Sequence, residues 1–302
     1  MKQIETAGIV GLGALGTMYA HILTNAIGRD RVFVFADSGR VERYQREGVY
    51  YNDELQNFQF AVPGKPLDLL LFAVKFGALE EAISLCRPAV GPETTIISVL
   101  NGISSEERLG AVYDPAQVVW CVAQKMSARK EGTRAVAGPT GELALGVPDG
   151  MERSHLDRLT AFFDSIGFAY TLPENIRVHM WSKLLCNTGC NQACMVHQCG
   201  YGGLQVPGPA RDTMLGAMRE VMAVANAENV PLSEHDIISW TGIIAGFPPE
   251  GEPSMRQDGK ARRKSEVELF SGTIRRLAEK HGIPVPVNDW LYQKIHETEA
   301  GY

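Results

Sequence analysis

Residues 7 to 16 read "AGIVGLGALG", which sets Gly11, Gly13 and Gly16 at G-x-G-x-x-G spacing between an apolar run and a helical pattern. In that context the first glycine permits a tight turn, the second lets a pyrophosphate approach the backbone, and the third lets helix and strand pack closely. The unpaired N–H groups at the helix start then face the anion. The cofactor-binding stretch read here is Gly11, Gly13, Ala14, Leu15 and Gly16. A ligand-free glycine turn would carry the same letters. Its position, directly after a strand and directly before a helix, favours the nucleotide.

Working outward, short apolar runs such as "RVFVFA", "DLLLFAV" and "TTIISVL" alternate with helical spacing as far as Leu100. Runs that are apolar on both faces, separated by helices, predict a parallel sheet covered on both sides. Residues 116–146 are β-rich and predict extra strands closing the first domain. Beyond Pro173 the pattern turns to long helical segments, among them 175–196, 210–230 and 262–282. The fold class expected is α/β: an N-terminal doubly wound sheet over 1–172, then an all-helical domain over 173–302.

Bulk properties narrow the function. The 302 residues carry 29 basic and 35 acidic side chains with no long run of like charge, which argues against a nucleic-acid surface. No apolar stretch approaches the roughly 18 residues of a membrane span, and "MKQIETAG" lacks the marks of a signal peptide, so a cytoplasmic protein is expected. In such a compartment the six cysteines are expected as free thiols. Cys186, Cys190 and Cys194 stand four apart, and each step climbs about 6 Å along a helix, too far for one tetrahedral ion to collect all three. No metal is expected. The basic patch 259–264 reads as a solvated helix start, and Trp181 and Trp290 as packing residues.

The second strand bears on cofactor choice. Asp37 in "VFVFADSGR" lies about 20 residues past the last glycine, where an acidic side chain accepts ribose hydroxyls and favours NAD(H). Ser38, Arg40 and Arg43 follow, and would hold a 2′-phosphate if Asp37 turned aside. Both readings stay open at this point.

Three further pieces belong where a doubly wound fold binds ligands, outside the carboxyl ends of its strands. They are Lys75 in "FAVKF", Asn101 in "SVLNG", and the helix "WSKLLCNTGCN", whose Lys183, Asn187 and Asn191 are spaced four apart on one face. "PSMRQDGKARRKSEVE" adds Ser254 and Glu266. Hydride delivered to a ketone carbon leaves a developing alkoxide, which an ammonium such as that of Lys183 stabilises and protonates, while amides and a hydroxyl orient the substrate.

In order and spacing, "GLGALG", "VK", "LNG", "WSKLLCN", "PSMRQD" and "KSEVE" resemble the ketopantoate reductase family over nearly the whole chain. The resemblance implies a Rossmann domain, a helical domain, an active site in the cleft between them, and reduction of 2-dehydropantoate to pantoate in pantothenate synthesis. It implies Lys183 as general acid and Glu266 as the glutamate that bonds substrate or lysine. It further implies Ser254 near the substrate carboxylate, Asn187 and Asn191 as the two helix asparagines, and Lys75 and Asn101 around the nicotinamide end and the substrate. It favours NADP(H), against the NAD(H) that Asp37 suggests. The partner implied is a small 2-oxo acid, with no nucleic acid or membrane, and a homodimer is compatible with the reading. Gln192, Cys194, Gly251 and Asp37 depart from the family pattern. They leave room for a reductase of another 2-oxo acid; the rival from another class is a dinucleotide sensor without turnover.

Overall fold

A computed structural model describes residues 3–60 and 64–302, so Met1 and Lys2 of the opening segment lie outside the described residues. The chain divides into two compact units, Met1–Ile176 and Arg177–Tyr302.

In the first unit the chain runs β1 (Ala7–Val10), α1 (Ala14–Ile27), β2 (Val32–Phe35), α2 (Ser38–Glu47), β3 (Val49–Tyr51), β4 (Glu54–Gln56), β5 (Leu69–Phe72) and α3 (Leu79–Cys86). It continues through β6 (Thr95–Ser98), α4 (Ser105–Val112), β7 (Val118–Gln124), β8 (Ala128–Glu131), β9 (Arg134–Ala137), β10 (Glu142–Gly146), α5 (Ser154–Ile166) and β11 (Tyr170–Thr171). Seven strands form the main sheet in the order β11-β10-β7-β6-β5-β1-β2. From β2 to β7 all pairings are parallel, and β10 closes antiparallel on β7. The chain leaves β1 toward β2 and returns on its other side at β5, which makes the β1/β5 junction the switch point of a doubly wound sheet.

The apolar runs behave as a sheet covered on both faces requires. Ile9, Leu69, Leu71 and Ile97 pack with Met18 and Leu23 of α1 and Leu159 and Phe163 of α5. Their neighbours Val10, Leu70, Phe72 and Ile96 join Leu79 and Ile83 of α3 and Leu109 of α4. Successive side chains thus feed opposite cores. At the amino ends of the strands a buried ion pair ties sheet to helix: Arg158 Nη2 of α5 donates to Asp68 Oδ1 at 2.9 Å, while Asp68 Oδ2 accepts from the Glu5 and Thr6 amides.

The strand-rich stretch 116–146 divides between two sheets. β7 and β10 extend the main one, whereas β8 and β9 join β3 and β4 in a second sheet ordered β4-β3-β9-β8. The β3–β4 hairpin turns through Asn52 and Asp53, both at positive φ (49° and 66°), the backbone of a two-residue hairpin turn.

The regular elements of the second unit are all helical: α6 (Ile176–Cys186), a π-helical turn (Asn187–Asn191), α7 (Gln192–Val196), α8 (Gly202–Gln205) and α9 (Pro209–Ala227). Then follow α10 (Glu234–Ala245), α11 (Ser254–Lys260), α12 (Ser271–His281) and α13 (Pro286–Glu299). The helix expected over 262–282 starts only at Ser271. Arg262 sits at φ 51°, which ends α11, and the Ser265 amide donates to Glu299 Oε1 of α13 instead of entering a helical ladder. Gly282, left-handed at φ 65°, stops α12 as the sequence suggests. The basic patch 259–264 is therefore the end of α11 and the turn after it, not a helix start, with Lys260 paired to Glu252 and Arg263 to Asp258. No helix among the described residues is long and apolar enough to cross a membrane.

One buried acid in the first unit makes a testable statement. Glu106 at the start of α4 is 2% exposed, and Ser98 Oγ donates to Ser105 Oγ, which donates to Glu106 Oε2. Burial raises its carboxyl to about 7, more than the Ser105 bond lowers it. Between the unfolded value near 4.5 and the folded value near 7 the native state holds the extra proton, so this group's contribution to stability falls as pH rises through that window. Denaturant titrations at pH 4.5 and pH 8 should show the stability of Glu106→Gln, relative to wild type, rising by about 3 kcal/mol across the interval. A pH-independent difference would overturn the assignment.

Candidate active site

At the glycine loop each glycine has a measurable reason. Gly11 is left-handed at φ 89°, and a Cβ there would stand 2.6 Å from Val74 Cγ1. At Gly16 a Cβ would stand 2.0 Å from the Gly11 carbonyl oxygen, so only glycine lets α1 begin this close to the loop. Gly13 differs: its Cβ would meet protein no nearer than 3.5 Å, at Ala73 O. It is the N-cap of α1, and no side chain caps the first turn. Open space above the second glycine and helix amides without a side-chain acceptor fit the pyrophosphate of a dinucleotide. Ala14 and Leu15 form the first turn that would carry it.

At the end of β2, Asp37 is the N-cap of α2. Its Oδ1 accepts from the Arg40 amide at 2.9 Å, and its Oδ2 lies 3.2 Å from Arg40 Nε. The carboxylate is thereby turned into the first turn of the helix that Ser38 opens, and its charge is matched by Arg40. Lys75 and Asn101 each lie three residues past a strand, β5 and β6 respectively. The main sheet therefore brings the loop after β1, Asp37, Ser38 and Arg40 after β2, Lys75 and Asn101 to its carboxyl edge.

In the helical unit, Lys183 lies in α6 and Asn187 and Asn191 open and close the π-helical turn. Lys183 and Asn187 are half-buried within a run, 183–191, whose other members are buried. A spacing of four suits an α-helix, but the turn from Asn187 to Asn191 is wider than 3.6 residues, so the polar stripe bends there. The wide turn packs against α9 through Gly189, where a Cβ would stand 2.6 Å from Met218 Cγ and 2.9 Å from Met214 O. α11 packs on the wide turn and on α7, bringing its exposed first residue, Ser254, to that end of the unit. Glu266 precedes the short 3₁₀ turn Val267–Leu269, five residues before the start of α12.

Two departures from the family pattern have local explanations. Gln192 is fully buried; its Nε2 donates to Thr188 O at 2.8 Å and its Oε1 accepts from the Ser271 amide at 3.4 Å, joining the wide turn to the start of α12. Gly251 lines a backbone pairing, Tyr201 N to Gly251 O at 2.9 Å, and a Cβ on it would stand 3.0 Å from Pro248 O. All six cysteines are free thiols. Burial pushes Cys186 up to about 12, and a bond with Cys194 together with burial raises Cys190. Trp181 is buried, whereas Trp290 is half-exposed with its ring 5.9 Å from that of His197. The residue that the sequence reading passes over is Lys130 of β8, whose Nζ donates to the Leu12 carbonyl inside the glycine loop.

Comparison with known proteins bears on the whole chain. Residues 7–150 match the family model described as ketopantoate reductase PanE/ApbA, and residues 175–299 match its C-terminal counterpart. A 2-dehydropantoate 2-reductase of Aquifex aeolicus is 25% identical over 96% of both chains. A crystal structure of a PanE/ApbA family ketopantoate reductase from Ralstonia eutropha superposes with a TM-score of 0.81 at 25% identity, covering 98% of each chain. A ternary structure of D-mandelate dehydrogenase with NADH and anilino(oxo)acetate shares the fold, with a TM-score of 0.86 at 20% identity over 98% of each chain. Matched in both halves and in order, this chain belongs to the ketopantoate reductase family.

Proposed function

We propose that this protein reduces a 2-oxo acid with NADPH, and that the acid is 2-dehydropantoate, giving pantoate for pantothenate synthesis. The observation that carries the reading is the joint presence of a phosphate cradle at Gly11, Gly13 and Gly16 and a helix bearing one ammonium and two amides, in a chain of this family. A dinucleotide sensor has no use for the second feature.

The nicotinamide, when bound, supplies the hydride. The cradle and the first turn of α1 hold the pyrophosphate, and Lys75 and Asn101 serve the nicotinamide end. Lys183 donates the proton to the carbonyl oxygen as negative charge develops there, and its ammonium stabilises that charge beforehand. Asn187 and Asn191 hold the substrate by neutral hydrogen bonds that do not compete with the ammonium for its charge. Ser254 takes the substrate carboxylate, and Glu266 aims the lysine or a substrate hydroxyl. NADPH is favoured over NADH because Asp37 spends its carboxylate on the first turn of α2 and on Arg40, which reduces its repulsion of a 2′-phosphate.

Two measurements test this. Lys183→Ala should lower kcat by about 30- to 1,000-fold, the loss of about 2 to 4 kcal/mol of transition-state stabilisation, with nucleotide affinity changed less than about twofold. Near wild-type turnover in the folded variant would refute the role. Following cofactor oxidation with a panel of 2-oxo acids, kcat/KM should be highest with 2-dehydropantoate and higher with NADPH than with NADH, and Asp37→Ala should keep or improve use of NADPH. An NADH advantage that disappears in Asp37→Ala would reverse the cofactor assignment.

A further inference from the structure

Between α2 and the small sheet, two cations lie against one aromatic ring, and the charge of a third, Arg40, acts on one of them. Lys130 Nζ lies 4.9 Å and Arg43 Cζ 5.4 Å from the centroid of Tyr44, which is itself buried. Lys130 also donates to the Leu12 carbonyl, so its ammonium touches the glycine loop. Arg43 Nε is buried and has no hydrogen-bond partner among the described residues. Arg40, one helical turn before Tyr44, is held by Asp37.

Like charges brought together at a half-buried place repel one another. Burial, Arg43 and Arg40, in that order, lower Lys130 to about 8. An anion seated among them would relieve the repulsion and give the buried Arg43 Nε an acceptor. Two phosphate positions of a dinucleotide are near enough to consider. The pyrophosphate belongs to the first turn of α1, whereas Arg40 and Arg43 rise from α2, past the end of β2, where the adenosine ribose lies in this fold.

We propose that Lys130 and Arg43, with Arg40 beside them, form the recognition site for the 2′-phosphate of the adenosine. The proposal rests on the reading that the glycine loop holds a dinucleotide. It assigns a purpose to the second sheet, because β8 carries Lys130 across to the loop from a position 118 residues further along the chain than Leu12. It also accounts for Asp37 at the end of β2: positive charge reaches the phosphate from β8 and from further along α2.

The test uses two probes that differ only in the phosphate at issue, 2′,5′-ADP and 5′-AMP, titrated calorimetrically into the full-length protein. For Lys130→Met the Kd for 2′,5′-ADP should rise by about 10- to 100-fold, the scale of one charge-assisted hydrogen bond. The Kd for 5′-AMP should move less than about twofold. Lys130→Arg should restore most of the affinity, since it keeps the cation. Arg43→Gln should show the same selective loss, and it carries the test alone if Lys130→Met melts early. Equal weakening of both probes would mean that Lys130 serves the loop or the shared 5′-phosphate, and would overturn the proposal. Unchanged affinity for 2′,5′-ADP would overturn it as well. No 2-oxo acid is present in these titrations. A protein that reduces none of them yet shows the selective loss refutes the proposed reaction alone, and an active reductase without the loss refutes this site alone.

Discussion

The contact on which the first unit depends is the one between Gly16 and the carbonyl of Gly11. A methyl group on Gly16 would stand 2.0 Å from that oxygen, inside any permitted separation. Seating α1 this close fixes where its first turn points, and so where the proposed cradle would receive an anion. It also lets α1 lie on β1, so that Met18 and Leu23 reach Ile9, Leu69 and Leu71. Sheet, helix and cradle are therefore one geometric solution. A side chain at residue 16 would do more than narrow the proposed phosphate cradle; it would lift the helix from the sheet.

In the second unit the equivalent role falls to buried polar contacts. Glu220 of α9 accepts from the Val287 and Asn288 amides at 2.8 Å each, capping the start of α13. Ser271 Oγ donates to Asn288 Oδ1, and the Ser271 amide donates to Gln192, which donates to Thr188 inside the wide turn. Five helical elements, α9, α13, α12, α7 and the wide turn, are connected by groups that would each be costly to bury alone. Such a network specifies one arrangement more sharply than an apolar core of the same size. The turn that carries Asn187 and Asn191 hangs at its end.

How much of this was legible depended on how local the cause was. The loop, α1 and the four central strands follow from neighbouring residues: glycine spacing, apolar runs and their alternation. The small sheet does not, because β4 and β8 are short and polar, and Tyr50 finds its partner at Arg134. Lys130 belongs to that blind region, since nothing in "SARKEG" announces a contact with Leu12. Asp37 was legible as a residue and ambiguous as a function, because choosing between ribose acceptor and helix cap needs the direction of its carboxylate. In the second unit Lys183, Asn187 and Asn191 stood out by spacing. The change of winding between them did not, since a period of four is compatible with a straight helix.

That change of winding makes the pitch of one turn a chemical variable. A π-helical turn accommodates a residue more than the i to i+4 ladder calls for. The same residues wound as an unbroken α-helix, with none removed, would turn everything after the wide turn by about 100°. Lys183 would stay where it is. Gln192 would swing off the start of α12, and the second amide would face another side of the rod. Composition, charge and helix content would hardly register the change, yet the ammonium and the distal amide would no longer belong to the same surface.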